Sequence, residues 1–217
     1  MTAIWITRTE PGAQKSATAW AAAGFDPVVA PLLSVHPVDS NAVIPDSAQL
    51  IFTSGQAVRH CGLKADHQTV YTVGEATADV ARQAGFTDVT FADGDWRDLL
   101  SIIRPTDQPI VHVSGRTVRG RLVESLGEAG FKASRHIVYE TQMITGWPLD
   151  PRTVQAVVLY SPMATDALMA LPKRDLSHLT AYCLSEAVAD GLEGLEIKVA
   201  VRPNETALIA CSGVDHA

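Results

Sequence analysis

The stretch Val70–Phe86 reads Val-Tyr-Thr-Val-Gly-Glu-Ala-Thr-Ala-Asp-Val-Ala-Arg-Gln-Ala-Gly-Phe, and its pattern is the strongest guide to the fold. It opens with β-forming residues that stop at Gly74. Apolar residues then recur at helical spacing until Gly85, which suits the left-handed position that ends many helices. The pattern predicts a buried strand, a glycine turn and an amphipathic helix. The first turn of that helix offers free backbone N–H groups beside the hydroxyl of Thr77.

A second copy of this pattern lies downstream. In Tyr182–Asp190 the order of strand, small residue, Glu-Ala and Ala-Asp recurs, and Ser185 follows Gly74 by 111 positions. Two further pairs keep a similar offset, Ile51–Ser54 with Val158–Ser161 and Ala23–Phe25 with Ala129–Phe131. The repeated unit is far longer than a solenoid repeat. We therefore predict a duplication of about half the chain, which produces two similar lobes.

Composition limits the class of protein. The 217 residues are 47% apolar, yet each apolar run is strand-length and falls short of the ~20 residues that cross a bilayer. Three cysteines, far apart in sequence, argue against a disulfide framework and favour a reducing compartment. The net charge of −7 disfavours a nucleic-acid surface. We expect a cytoplasmic monomer with no signal peptide, no membrane anchor and no nucleic-acid partner.

Strand and helix patterns alternate along the whole chain, with mostly short loops between them. This alternation predicts an α/β fold of parallel sheets covered by helices. Proline-marked segments near residues 35–45 and 142–152 have the composition of connectors. In the middle of the chain we expect a strand over Pro109–Val113, a turn at Ser114–Arg116 and a helix over Val118–Ala129.

The candidate binding residues follow predicted strands, because ligands of parallel α/β folds bind beyond the carboxyl ends of the strands. They are Thr7, Arg8, Ser54, Gly55, Thr77, Arg116, Ser161 and Ser185. Hydroxyls, glycine and arginine are poor nucleophiles and metal ligands, but together with helix N-termini they can bind anions. Helix capping, which contributes about 1 kcal/mol per residue, explains any single serine or threonine as well, and it is compatible with binding.

Other ligand chemistries lack their sequence signals. The seven histidines show neither an i,i+4 pair nor zinc-finger spacing to a cysteine, so we expect no metal site. The segment after Val73 lacks the glycine series of a dinucleotide site, and no Gly-Lys-Ser/Thr phosphate loop occurs. Ser54 and Ser161 stand in no Gly-x-Ser-x-Gly elbow.

Short strings spread over nearly the whole chain form an ordered set. They are Ile6–Arg8, Pro27–Leu32, Ile51–Ser54 with Ala57 and Val58, Val73–Ala78, Val138–Thr141, Tyr160–Pro162 and Arg202–Asn204. Taken in order, these strings resemble the uroporphyrinogen-III synthase family. The pair Gly55-Gln56 departs from the family's commoner pair after Thr-Ser.

The resemblance implies a particular domain organisation. It implies two flavodoxin-like or Rossmann-like domains, interleaved in sequence and joined by a two-stranded connector, with the active site between them. Residues 1–36 and 147–217 then form the first domain, and residues 37–146 form the second domain together with the connector strands. A tandem split near residue 107 fits the internal repeat equally well, so the interleaving rests on the resemblance.

The resemblance also implies a function. It implies a cofactor-free lyase of haem biosynthesis that closes the linear polycarboxylate hydroxymethylbilane into uroporphyrinogen III, inverting the last pyrrole ring and releasing water. It places Tyr139 as the acid that helps the hydroxyl leave, since a tyrosine keeps its proton at neutral pH. The alternative is a non-catalytic, two-lobed sensor of a small anionic metabolite. That alternative explains the duplication but neither Tyr139 nor the family strings.

Overall fold

The computed structural model describes residues 1–39, 43–65, 67–118 and 120–213. Residues 40–42 of the first expected connector lie outside the described residues. The chain divides into two compact units. One combines Met1–Val35 with Gln142–Ala217 and is called here the discontinuous unit, and the other, His36–Thr141, is called the continuous unit.

Strands and helices alternate as the sequence predicts. In chain order they are β1 (Thr2–Ile6), α1 (Gly12–Ala22), β2 (Phe25–Val29), β3 (Leu33–Pro37), β4 (Gln49–Phe52), α2 (Gly55–His60), β5 (Thr69–Val73), α3 (Glu75–Gln83), β6 (Asp88–Ala92), α4 (Trp96–Ile102), β7 (Ile110–Gly115), α5 (Leu122–Glu128), β8 (Ala133–Met143), β9 (Ala156–Leu159), α6 (Pro162–Ala170), β10 (Thr180–Cys183), α7 (Glu186–Ala189), β11 (Glu196–Val199) and α8 (Glu205–Ala210).

The two sheets confirm the predicted α/β fold. The first sheet has the order β11-β10-β9-β1-β2, and all its recorded pairings are parallel. The second has the order β3-β8-β7-β4-β5-β6 and is parallel from β8 to β6. Two strands pass between the units, β3 and β8. The amide of Val38 donates to Val138 O, and that of Ile144 to Leu32 O, so they run antiparallel and form the two-stranded connector.

Alternating side chains give each sheet two buried faces. In β4, Leu50 and Phe52 pack with α2 and α3, whereas Ile51 packs with α4 and α5. In β1, Trp5 is buried on the face opposite to Ile4 and Ile6. Strands that are apolar on both faces are typical of parallel sheets covered by helices.

The internal repeat has a structural counterpart. Strands β6-β5-β4-β7-β8 of the second sheet stand in the same spatial order as β11-β10-β9-β1-β2 of the first. Gly74 and Ser185 follow equivalent strands, and so do Ser54 and Ser161. The first sheet takes its last two strands from the chain's beginning, so the two units are related by a circular permutation. This relation supports the predicted duplication.

Two local predictions for the middle of the chain are wrong. Ser114 and Gly115 belong to β7 and not to a turn, because a register shift keeps β7 paired with β8 beyond Ser114. The helix predicted from Val118 begins at Leu122. Gly120, just before it, has φ of +84°, a left-handed conformation that a right-handed helix cannot include.

Within the described ranges, no helix is long and apolar enough to cross a membrane.

Candidate functional site

Three neighbouring strands of the continuous unit end at one edge of its sheet. Since β7, β4 and β5 are parallel and adjacent, the segments that follow them lie side by side. These segments contain Arg116 after β7, Ser54 after β4, and the turn of Gly74 before α3. The structure therefore gathers the predicted residues of this unit at a single edge, the edge at which parallel α/β sheets bind ligands.

Ser54 and Gly74 begin the two helices at this edge. The Ser54 hydroxyl caps α2 by accepting from the amide of Gln56 at 3.2 Å, so its own proton can still be donated to a carboxylate. Gly74 has φ of +74°, and a Cβ placed on it would meet no atom within 4 Å. The first two residues of α3 are exposed, so the start of this helix is uncovered. Thr77 lies half-buried in the first turn of that helix. Gly55 is close to the Arg59 side chain, since a Cβ there would lie 3.0 Å from Nη1.

A bulge in β8 places Tyr139. Ser114 is in register with Ile137, but Gly115 is in register with Tyr139, so β8 contains one extra residue. As a result Val138 and its neighbour Tyr139 both pack against the same apolar cluster, which regular alternation forbids. Bulges re-aim side chains and are frequent beside active sites.

Gly115 is the surface on which the tyrosine ring rests. A Cβ added to Gly115 would lie 2.6 Å from Cζ of Tyr139 and 3.0 Å from its hydroxyl oxygen. The His60 ring lies on α2 with its centroid 6.0 Å from that of Tyr139. The phenol, which the family resemblance implies to be an acid, is therefore held half-buried at the end of β7.

Arg116 lies next to this phenol. Its amide donates to Tyr139 O at 2.8 Å, and its Nε donates to Glu140 Oε2 at 2.8 Å. The guanidinium is more than half exposed, at 57% of the side chain. A substrate carboxylate at this position would compete with Glu140 for the guanidinium.

Sequence reasoning missed a buried polar group beneath this edge. His112 of β7 is buried, and its Nε2 lies 3.1 Å from the Thr53 hydroxyl. Burial, with a further contribution from the positive charge of Arg135, lowers the pKa of His112 to about 4. Its sequence signal was slight, a lone histidine in an apolar strand.

We expect His112 to make stability depend on pH between about pH 4 and pH 6.5. The pKa is about 4 in the folded chain and ~6.5 in an unfolded chain. As pH falls through this window the unfolded chain takes up a proton that the folded chain does not. The free energy of unfolding therefore falls, by about 3 kcal/mol in total.

Urea unfolding at pH 7 and pH 4.5 checks this prediction. His112→Gln should lose less stability between the two pH values than the wild type. His36→Gln, at an exposed position, should behave as the wild type does. Equal losses in wild type and His112→Gln would contradict the assignment.

The discontinuous unit has an equivalent edge, where β10, β9 and β1 end side by side. Ser161 caps α6 by accepting from the amide of Ala164 at 3.2 Å. Ser185 occupies the N-cap of α7, but its side chain makes no capping bond. Thr7 is fully buried, and its hydroxyl donates to Val158 O at 2.6 Å. A ligand contact through the Thr7 hydroxyl, expected from the sequence, does not fit this geometry, because the group is turned into the sheet.

Arg8 belongs to a polar network in this unit. Its guanidinium lies 4.6 Å above the ring of Tyr160 and 3.6 Å from Glu205, and Nη1 is 3.3 Å from the Ser16 hydroxyl. Tyr160 in turn donates to Glu205 at 2.9 Å. Burial, and then the charge of Glu205, raise the pKa of Tyr160. Arg8 follows β1 and Arg116 follows β7, and these two strands hold the same place in their sheets. Each of the two arginines contacts a glutamate of its own unit.

A cavity of about 740 Å³ lies elsewhere in the discontinuous unit. Its lining residues include Trp147, Asp150 and His178, which precede β9 or β10. It is therefore at the amino ends of the strands, opposite to the edge described above. Three of its charged side chains already pair with one another, since Asp150 contacts Arg152 at 2.6 Å and Arg174 at 3.4 Å. We place the chemistry at the carboxyl edge, where loops and helix N-termini converge.

Among the described residues, no group of three histidine, cysteine, aspartate or glutamate side chains could hold a metal ion.

Comparisons with known proteins agree on one family. The family model HEM4, described as uroporphyrinogen-III synthase HemD, matches residues 14–210. No curated protein sequence matches the chain significantly. The fold is similar to that of the uroporphyrinogen-III synthetase of Helicobacter pylori 26695, with a TM-score of 0.66, 16% identity and 98% of each chain covered.

A second similar structure is a mutant uroporphyrinogen III synthase from the extremely thermophilic bacterium Thermus thermophilus. Its TM-score is 0.55 at 15% identity, and the match covers 98% of this chain and 96% of that one. At such identities the structures support the fold alone, whereas the family model extends over most of the sequence. The chain belongs to the uroporphyrinogen-III synthase family.

Proposed function

We propose that the chain is the enzyme that closes hydroxymethylbilane into uroporphyrinogen III, with inversion of the last pyrrole ring and loss of water, in haem biosynthesis. The reaction is that of a lyase and needs no cofactor in this proposal. Family membership supports the assignment, and the observation that carries it is Tyr139 seated on Gly115 at the carboxyl edge of the sheet.

The site suits catalysis by positioning. Hydroxymethylbilane can close unaided without inversion, so the enzyme must hold its two end rings in the geometry that leads to the inverted product. Positioning of reactants can supply a large part of a rate enhancement. The phenol of Tyr139 supplies the one proton donor that departure of the hydroxyl as water requires.

The substrate carboxylates have suitable partners in both units. We assign them to the Ser54 and Ser161 hydroxyls, the Ser185 hydroxyl, and the uncovered start of α3 at Gly74 and Thr77. Helix N-termini carry roughly half a positive charge and attract anions. Arg8 and Arg116 join this set by exchanging a glutamate for a substrate carboxylate, and Gly55 contributes through its backbone.

The deciding experiment supplies hydroxymethylbilane to the purified protein and separates the product isomers. We expect uroporphyrinogen III at a rate well above that of spontaneous closure. Formation of the type I isomer alone, at the spontaneous rate, would contradict the proposal and favour a non-catalytic sensor.

We also propose that the enzyme acts in the cytoplasm as a monomer and without nucleic acid. The net charge of −7 and three scattered cysteines support this setting. Sedimentation equilibrium at micromolar concentration should give the mass of one chain, 23.2 kDa.

A further inference from the structure

Arg135 of β8 holds three consecutive residues at the end of β7. Its Nε donates to the Ser114 hydroxyl at 2.8 Å, and its Nη2 donates to the carbonyl oxygens of Gly115 and Arg116, the latter at 2.6 Å. The Ser114 hydroxyl also donates to Gly115 O at 3.2 Å. One guanidinium thus fixes the backbone where β7 leaves its sheet.

The residues that Arg135 holds are those that position the proposed site. The ring of Tyr139 packs against Gly115, and the amide of Arg116 donates to Tyr139 O. Strand β8 therefore contacts the end of β7 twice, once through Arg135 and once, after the bulge, through Tyr139. If the end of β7 shifts, the surface beneath the phenol shifts with it.

Only arginine has the geometry for this arrangement. Its planar fork directs several N–H groups at acceptors in fixed directions, whereas lysine offers a single, flexible ammonium. Within the described residues no carboxylate pairs with Arg135, so its recorded hydrogen bonds go to backbone carbonyls and one hydroxyl. That arrangement indicates a structural clamp on the end of β7.

We propose that Arg135 is a positioning residue of the synthase reaction, which fixes Ser114–Arg116 and through them the ring of Tyr139. This inference rests on the proposed function of the same site. It assigns Arg135 no contact with the substrate. The effect of replacing Arg135 should therefore depend on whether Tyr139 has its hydroxyl.

Arg135→Lys is the discriminating variant, since it keeps the charge and removes the fork. We expect kcat for uroporphyrinogen III to fall about 10-fold or more, the range that small misplacements of reacting groups produce, while KM changes by a smaller factor. In the Tyr139→Phe background, Arg135→Lys should cause little further loss. A wild-type kcat in Arg135→Lys, or losses that multiply in the double variant, would overturn the inference.

The matched control is Arg82→Lys, in the same unit. Arg82 also donates to a backbone carbonyl, Val89 O at 3.4 Å, but lies in the last turn of α3. We expect wild-type kcat and KM. Thermal unfolding of each variant shows whether the fold is retained.

A second measurement needs no activity. With ring-labelled tyrosine, the NMR resonance of Tyr139, identified by its absence in Tyr139→Phe, should move in Arg135→Lys, while those of Tyr71 and Tyr182 stay. An unmoved Tyr139 resonance would overturn the clamp. This outcome differs from the one that would contradict the proposed function, in which the wild-type protein yields only the type I isomer.

Discussion

Replacing Tyr139 by phenylalanine should lower the rate of uroporphyrinogen III formation by about 100-fold or more, which is the usual contribution of a positioned general acid. The substitution removes one oxygen and keeps the ring that packs on Gly115. We therefore expect the fold and the affinity for substrate to change little. Stopped assays with isomer separation measure the rate, because spontaneous closure supplies type I product in parallel.

Tyr71→Phe is the matched control for this prediction. Tyr71 is buried in the same unit, and its hydroxyl accepts from the amide of Arg104 at 3.3 Å. Loss of that bond should cost about 1 kcal/mol of stability and leave the isomer ratio unchanged. A Tyr139→Phe enzyme with near wild-type turnover would remove the phenol from the mechanism.

Gly115→Ala should lower activity almost as much as Tyr139→Phe does, although it adds only a methyl group. The new Cβ would stand 2.6 Å from Cζ of Tyr139, so the ring must move away from residue 115. Displacing a reacting group by about 1 Å can cost 100-fold in rate. We expect a fall in kcat of that order, with uroporphyrinogen III declining relative to type I product.

Gly127→Ala separates this steric effect from a general effect of replacing glycine. Gly127 lies in α5 with open space around it, and alanine in a helix is favoured by roughly 0.5–1 kcal/mol over glycine. That variant should keep full activity and gain slight stability. If Gly115→Ala keeps wild-type kcat, the ring does not need its present position.

Much of the fold could be predicted because it depends on local patterns. Apolar runs ended by glycine or serine mark the strands. The pattern around Gly74 recurs around Ser185, and this repeat predicts two similar sheets. The start of α5 was missed because nothing local shows that Gly120 takes a left-handed conformation. The end of β7 was misjudged because its pairing depends on a bulge in another strand, β8.

The candidate site was only partly predictable for the same reason. Position after a strand was enough to predict that Ser54 and Arg116 lie at the same edge, since the ends of parallel strands meet at one edge of a sheet. It could not show that the Thr7 hydroxyl turns inward to Val158 O, 151 residues away. Arg135 carried no signal at all, because its partners are mainly backbone carbonyls, which every sequence contains.

The circular permutation has a consequence for protein synthesis. Strand β1 leaves the ribosome before the other ten strands, yet it lies between β2 and β9, and Ile4 is in register with Ala156. The continuous unit is complete at Thr141, and domains generally fold as units while the chain emerges. The unit that begins second thus finishes folding first. Meanwhile the nascent β1–α1–β2 segment waits for its partners, and we expect Trp5, which packs with residues of β9 and β10, to stay exposed until those strands emerge.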